Sequence, residues 1–299
     1  MRNIGIGAWI RRVGLCLAVC GGAINLFAGE VRIIAIGAHP DDCEIGAGGT
    51  AALMAAMGHK VMFVAITNGD AGNATQGGGA LGARRRAEAL EAARRLGVES
   101  VVLDHHDGEL LPTLDIRHEL IRLIRKWKAD VVIGPRTNDY YCDHRYAGML
   151  VQDTSLQVVV PNICPDTPPL AVNPVYLYFQ DSFQRPVAFL PDIAIAIDEV
   201  YPKKIQALDA HVSQMYEWLP WLSHKLDEVP KTPEARLVWL AKSRKRPLTP
   251  TVRLALERWY GAERASRVEQ AEAFEISEYG TQPNEEQLRR LFPMLSHEH

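Results

Sequence analysis

Short, apolar, β-branched runs alternate with amphipathic helical stretches through the first half of this chain, and that alternation narrows its fold more than any other feature. Val31 to Gly37, Lys60 to Thr67, Ser100 to Asp104 and Asp130 to Gly134 read as strands. Helical patterns lie between them at Gly49 to Met57, Ala80 to Leu96 and Ile116 to Trp127, the second closed by Gly97, a helix-ending residue. Such βα units build a parallel sheet, so the expected fold is α/β, a Rossmann-like three-layer sandwich with a mainly parallel sheet. Val175 to Gln180 and Ile193 to Ile197 suggest two further strands, and Tyr201 to Leu219 a helix. From Pro220 the texture changes, with short helical runs at Pro233 to Lys242, Thr249 to Trp259 and Glu263 to Phe274. The expected division is therefore a leader over 1–28, a main domain over 29–219 and a helical C-terminal extension over 220–299.

In an open parallel sheet, ligands bind beyond the carboxyl ends of the strands. The first strand is followed by Ala38-His39-Pro40-Asp41-Asp42-Cys43-Glu44, the second by Asn68-Gly69-Asp70, the third by His106-Asp107-Gly108, and the fourth by Asp139-Tyr140-Tyr141-Cys142-Asp143-His144. Polar and metal-capable side chains thus gather at one rim, although loops need only polarity and have no requirement for imidazole with clustered carboxylates. Pro40 stiffens a turn from which His39 and Asp42 could reach one cation, and His144 is the natural third ligand. Zn²⁺ takes imidazole nitrogen and carboxylate oxygen at about 2.0–2.2 Å, and a catalytic site keeps three protein ligands and a position for water. Taken singly these residues have plainer readings: Asp41 and Asp42 as helix caps, His144 as a surface histidine before a helix. The glycine-rich loop from Asn68 to Gly82 reads equally as a lid or as a passive connection.

The amino terminus has the form of a secretory signal. Arg2, Arg11 and Arg12 precede an uncharged run from Val13 to Ala28 that is shorter than the roughly 20 apolar residues of a spanning helix. The expectation is an exported protein, periplasmic or extracellular, with no stable membrane span after processing; an uncleaved N-terminal anchor is the alternative. The net charge of −3 becomes more negative once the three leader arginines are lost, which argues against nucleic acid and for a small-molecule or glycan partner. Cys43, Cys142 and Cys164 remain downstream, too few for a disulfide framework. A single bridge between Cys43 and Cys142 stays open.

Gly37 to Glu44 with Gly48-Gly49-Thr50 resembles the signature of the LmbE-like and N-acetylglucosaminyl-phosphatidylinositol de-N-acetylase (PIG-L) family. The resemblance continues through Thr67-Asn68-Gly69, Arg85-Arg86-Ala87-Glu88, Asp107-Gly108, Asp143-His144 and His211-Val212-Ser213-Gln214, covering about residues 31 to 215 in order. It implies a zinc-dependent hydrolase that removes an N-acetyl group from an amino sugar or related amide, with one Zn²⁺ per chain. By position, His39, Asp42 and His144 are the implied metal ligands and Asp41 the general base, with Arg85 and Asp107 contacting substrate. One departure stands out. Where the family commonly has His-Pro-Asp-His, this chain has Tyr141-Cys142-Asp143-His144, so the implied acid or carbonyl polariser is replaced by Tyr141, with Tyr140 beside it. A phenol donates a hydrogen bond but, with a pKa near about 10, shuttles protons poorly at neutral pH. The alternative reading is thus a catalytically impaired, metal-retaining sugar-binding or regulatory protein. A nucleotide-binding enzyme would need a glycine fingerprint that Gly46-Ala47-Gly48-Gly49 does not provide.

Overall fold

The computed structural model describes residues 29–295, so the leader expected over 1–28 lies outside the described residues. Seven strands form one sheet: β1 (Arg32–Gly37), β2 (Lys60–Thr67), β3 (Glu99–His105), β4 (Val131–Gly134), β5 (Val175–Phe179), β6 (Ile193–Ala196) and β7 (Ala271–Gly280), in the order β3-β2-β1-β4-β5-β7-β6. The first five are parallel, and β7 runs antiparallel between β5 and β6. Helices α1 (Asp42–Ala56), α2 (Gly78–Leu96), α3 (Leu114–Trp127) and α4 (Cys142–Gln157) alternate with the early strands. Later come α5 (Tyr201–Asp209), α6 (Leu219–Leu222), α7 (Pro233–Ser243), α8 (Pro250–Arg267) and α9 (Glu285–Leu291). No described helix is long and apolar enough to cross a membrane.

Side chains of a strand point alternately to opposite faces, and β1 supplies a different core with each parity. Ile33 and Ala35 join the cluster that holds Val61, Phe63, Met54 of α1 and Trp259 of α8. Ile34 and Ile36 join the other, with Val64, Ile66, Leu120 of α3 and Leu150 of α4. This two-sided burial makes the fold the expected mixed α/β sandwich with a mainly parallel sheet. Gly97 closes α2 in the left-handed conformation, at φ 83°, as its position suggested.

Three elements differ from the sequence expectation. Helix α1 starts at Asp42, seven residues before the anticipated Gly49, because its first turns are glycine-rich and carry little helical signal. The expected helix from Tyr201 to Leu219 is α5 followed by a π-helical turn over Ser213–Trp218. The run expected to be helical to Phe274 is strand from Ala271 onward, so the segment that was expected to be a helical extension also supplies β7 to the sheet. The described cysteines are free thiols, and the Cys43 Sγ donates to the Ala35 carbonyl at 3.3 Å, which closes the question of a bridge to Cys142.

Strand β7 fastens the C-terminal segment to α1 through a buried ion pair. Glu272 accepts from the backbone N–H of Gly49 at 2.8 Å and of Thr50 at 2.7 Å, while Lys204 Nζ donates to Glu272 at 2.6 Å and to the Ile45 carbonyl at 2.8 Å. The pair thus takes over hydrogen bonds in the weak glycine-rich stretch of α1. Removing one partner of a buried pair typically costs about 3–5 kcal/mol. Glu272→Ala is therefore expected to lower unfolding stability by about that amount, measured by urea titration; a loss below about 1 kcal/mol would mean that α1 holds its shape without the wedge.

Candidate active site

The strand order reverses between β1 and β4, which opens a crevice at their carboxyl ends. The β1 exit forms a tight turn in which Asp42 Oδ2 accepts from the backbone N–H of Ala38 at 2.8 Å and of His39 at 2.9 Å. A Cβ on Gly37 would lie 2.5 Å from Asp42 Cβ, so the turn requires glycine there. From the β4 exit, Tyr141 starts α4 and places His144 in the first turn.

Three side chains converge across this crevice. His39 Nδ1 lies 3.2 Å from His144 Nε2 and 3.6 Å from Asp42 Oδ2, and His144 Nε2 lies 3.6 Å from Asp42 Oδ1. His39, Asp42 and His144 each offer a ligand atom within 4.8 Å of the others. Two imidazole nitrogens facing each other at 3.2 Å need a proton or a cation between them. Ligands at about 2.0–2.1 Å from one tetrahedral ion would stand about 3.3 Å apart. The donor set fits a zinc-like ion.

Each imidazole is held from behind. His39 Nε2 meets Asp107 Oδ1 at 3.2 Å and Asp143 Oδ2 at 3.3 Å, and His144 Nδ1 meets Asp139 Oδ1 at 3.1 Å. Carboxylates in these positions fix the tautomer and orientation of a ligating imidazole. Asp143 is fully buried and also accepts from Gly108 N–H at 2.7 Å, so it reaches any chemistry through His39. Asp107 belongs to this inner network as well. The backing role of Asp139 escaped the sequence reading, although the residue stands in the string after β4.

Arg85, expected at the substrate, is only 2% exposed. Its guanidinium donates to the carbonyls of Gly69 and Pro40 at 3.2 and 3.3 Å, to Asp41 Oδ1 at 3.2 Å and to Asp107 Oδ2 at 3.5 Å, tying together the loops after β1, β2 and β3. Gly69, at φ 72°, leaves room where a Cβ would come within 2.3 Å of the Arg85 Nη1. The glycine-rich loop is anchored too: Asn73 donates to the Ser213 carbonyl, and Gln214 to that of Gly72. Another pair absent from the expected site list is Glu44 with the buried His211, at 3.4 Å; both residues stand in the motifs that carry the resemblance.

The Tyr141 ring lies beside both imidazoles, 5.6 Å from that of His144. Its hydroxyl donates to Asp107 Oδ1 at 3.3 Å, and its ring lies 5.3 Å from that of His39. Burial, then the Asp107 charge, push its pKa up to about 12. Tyr140 is 75% exposed, its ring 6.1 Å from His144 and 6.3 Å from Phe183. A cleft of about 710 Å³ opens beside Asp42 and His144, walled by Phe179, Phe183 and Phe189 and by residues 246–251 of the C-terminal segment.

Burial would lower the pKa of His39, but its hydrogen bonds to Asp107, Asp143 and Asp42 more than offset that and raise it well above 6.5. His144 is raised as well, burial again being outweighed by the Asp42 charge and the Asp139 hydrogen bond. Burial, helped by the Asp42 charge, raises the Asp41 carboxyl against the pull of Arg85.

Residues 34–155 match the family model described as PIG-L, GlcNAc-PI de-N-acetylase. The chain is 30% identical over 208 residues to diacetylchitobiose deacetylase of Thermococcus kodakarensis, spanning 64% of this chain and 74% of that protein. Solved structures share the fold. N,N'-diacetylchitobiose deacetylase of Pyrococcus horikoshii matches with a TM-score of 0.62 at 24% identity, over 85% of this chain and 86% of that one. GalB, the 4-carboxy-2-hydroxymuconate hydratase of Pseudomonas putida KT2440, matches with a TM-score of 0.63 at 21% identity, over 85% and 99%.

Two raised imidazoles set a pH dependence for the metal-free chain. Their ion pairs contribute fully below the unfolded value near about 6.5, and that contribution is lost as pH rises through the higher folded values. The melting temperature of chelator-treated protein is expected to fall from pH 6.5 upward, and Zn²⁺ binding at pH 7 to release protons, read by calorimetry in buffers of different ionisation enthalpy. A flat profile with no proton release would contradict the charged state of His39 and His144.

Proposed function

The chain belongs to the PIG-L (GlcNAc-PI de-N-acetylase) family of deacetylases, and we propose on that footing that it is a zinc-dependent hydrolase removing an N-acetyl group from an amino sugar. The observation that carries this reading is the convergence of His39, Asp42 and His144 at the edge of an aromatic-walled cleft. These three residues would hold Zn²⁺, which when bound polarises the amide carbonyl and brings water to reactivity near neutral pH.

The remaining chemistry belongs to the chain. Asp41, two residues from His39, takes a proton from the attacking water and passes it to the amide nitrogen as the C–N bond breaks, giving acetate and the free amine. Its upward-shifted carboxyl suits a group that must both accept and return a proton. Arg85 fixes the Asp41 carboxylate, while Asp107 and Asp143 orient His39. Phe179, Phe183 and Phe189 offer the cleft apolar faces on which a sugar ring can lie. Tyr140, exposed and 6.1 Å from the His144 ring, is the phenol free to offer a hydrogen bond to substrate.

Ala in place of His39, Asp42 or His144 should sharply lower zinc content by elemental analysis, whereas Ala in place of the exposed His106 should not. Asp41→Asn should keep zinc and lose most release of acetate from N-acetylated amino sugars, by at least about 10²-fold. Full activity in Asp41→Asn would remove the base assigned here.

The impaired-protein reading rests on Tyr141, whose phenol points to Asp107. Tyr141→His with Cys142→Pro separates the two. A rise in turnover would identify a weakened deacetylase; a fall would identify the Tyr-Cys pair as an adaptation to the native substrate.

A further inference from the structure

Residues 180–192 join β5 to β6 with no helix or strand of their own, yet Phe183, Ala188, Phe189 and Leu190 from this loop line the cleft beside Asp42 and His144. Its tip, 184–187, is exposed, and of its apolar side chains only Phe189 is buried. A long connection that buries so little apolar surface opens easily unless hydrogen bonds hold it. One side chain supplies several of them. Arg136, just beyond the end of β4, is buried, and its Nε and Nη2 grip the Asp181 carboxylate at 2.6 and 2.7 Å. Its Nη1 donates to the Val187 carbonyl at 3.0 Å and its Nη2 to the Phe183 carbonyl at 3.2 Å. The guanidinium also lies 5.8 Å from the centre of the Phe189 ring. Arg136 thus touches the loop before its tip, at the end of its tip and at the ring that faces the cleft.

The same stretch of chain carries the third donor of the cluster. Between Arg136 and His144, Asn138 donates to the Arg185 carbonyl at the loop tip, and Asp139 backs His144 at 3.1 Å. The Tyr140 ring stands between them, 6.3 Å from Phe183 and 6.1 Å from His144. Wall and cluster therefore hang from one short segment. The far end of the loop is tied separately, where Glu275 of β7 accepts from the Leu190 N–H at 2.9 Å. A planar guanidinium can hold a carboxylate with two donors and reach carbonyls on either side, which an ammonium cannot do from one position. Without it, the Asp181 carboxylate and two carbonyls lose their donor, and the loop gains by turning them toward water.

We propose that Arg136 is a positioning residue for the reaction: it holds residues 180–192 as the wall of the cleft at a set distance from His144, so that substrate affinity depends on it while the metal donors do not. The inference rests on the deacetylase reading for the substrate that is bound, and on the contacts of Arg136 for the order of the wall. Arg136 stands in none of the motifs that carry the family resemblance.

Three measurements on the zinc-loaded protein test it: hydrogen exchange of the peptide spanning 180–192, zinc content, and acetate release from N-acetylglucosamine and diacetylchitobiose. Arg136→Lys keeps the charge and loses the fork. It should speed exchange in the loop by at least about tenfold while β4 and β5 exchange as before. KM should rise by about tenfold, with kcat and zinc content within about twofold of the parent. Asp181→Asn, which keeps the shape of its side chain, should move the same quantities in the same direction. Arg122→Lys, which breaks a two-pronged pair with Asp166 at the surface, should move none of them. Unchanged loop exchange in Arg136→Lys overturns the proposal. So does a loosened loop with unchanged KM, a loss confined to kcat or zinc, or loosening that spreads to β4 and β5 in both cleft variants. If the parent protein releases no acetate from either sugar, the deacetylase reading fails, and exchange and zinc content alone then decide whether Arg136 orders the wall.

Discussion

The carboxylate of Asp42 is the constraint on which the site depends. Through Oδ2 it accepts two consecutive backbone N–H groups at the end of β1, and through Oδ1 it faces His144 across the crevice. One side chain therefore closes the turn that aims His39 and supplies a donor to the same cluster. The turn tolerates no side chain at Gly37, and its far end is the first turn of α1. An error there would misplace His39, Asp41 and Asp42 together, because all three hang from five consecutive residues.

Around this turn, charges of opposite sign are arranged in a buried chain. Arg85 stands between Asp41 and Asp107; Asp107 and Asp143 stand behind His39, and Asp139 behind His144. Such pairs contribute little net stability, since desolvating each charge costs about what the attraction returns. Their effect is positional. A ligand imidazole between a metal and a carboxylate has its rotation and tautomer fixed in advance. Stability comes instead from apolar clusters on both faces of the sheet, while the pair of Lys204 and Glu272 fixes how β7 meets α1.

The sequence disclosed the strands well because β-branched runs buried on both faces have no other reading, and β2 is bounded where its pattern placed it. His39, Asp42 and His144 were legible because they follow strands whose ends must meet. The insertion of β7 between β5 and β6 was not legible. Its residues, Ala271 to Gly280, include three glutamates, and Glu272 is buried only because Lys204 comes to it from a helix 68 residues away. Local pattern cannot signal a partner supplied by tertiary structure. Arg85 stands in a row with Arg84 and Arg86, and local pattern does not say that Arg85 turns inward to three loops while Arg84 pairs with Glu217.

The fold by itself leaves the reaction open, since a hydratase and a deacetylase share it at similar TM-scores. What narrows the chemistry is the combination of a three-donor cluster, an upward-shifted carboxyl next to it and a cleft on one side only. The cleft has two origins. Its reacting edge comes from the ends of β1 and β4, whereas part of its opposite wall comes from residues 246–251. The helices that flank this wall are held by Tyr201 donating to the Ala241 carbonyl of α7 and by Trp259 of α8 donating to the Asp192 carbonyl. The C-terminal segment therefore shapes the cleft beside the cluster while supplying none of its three donors.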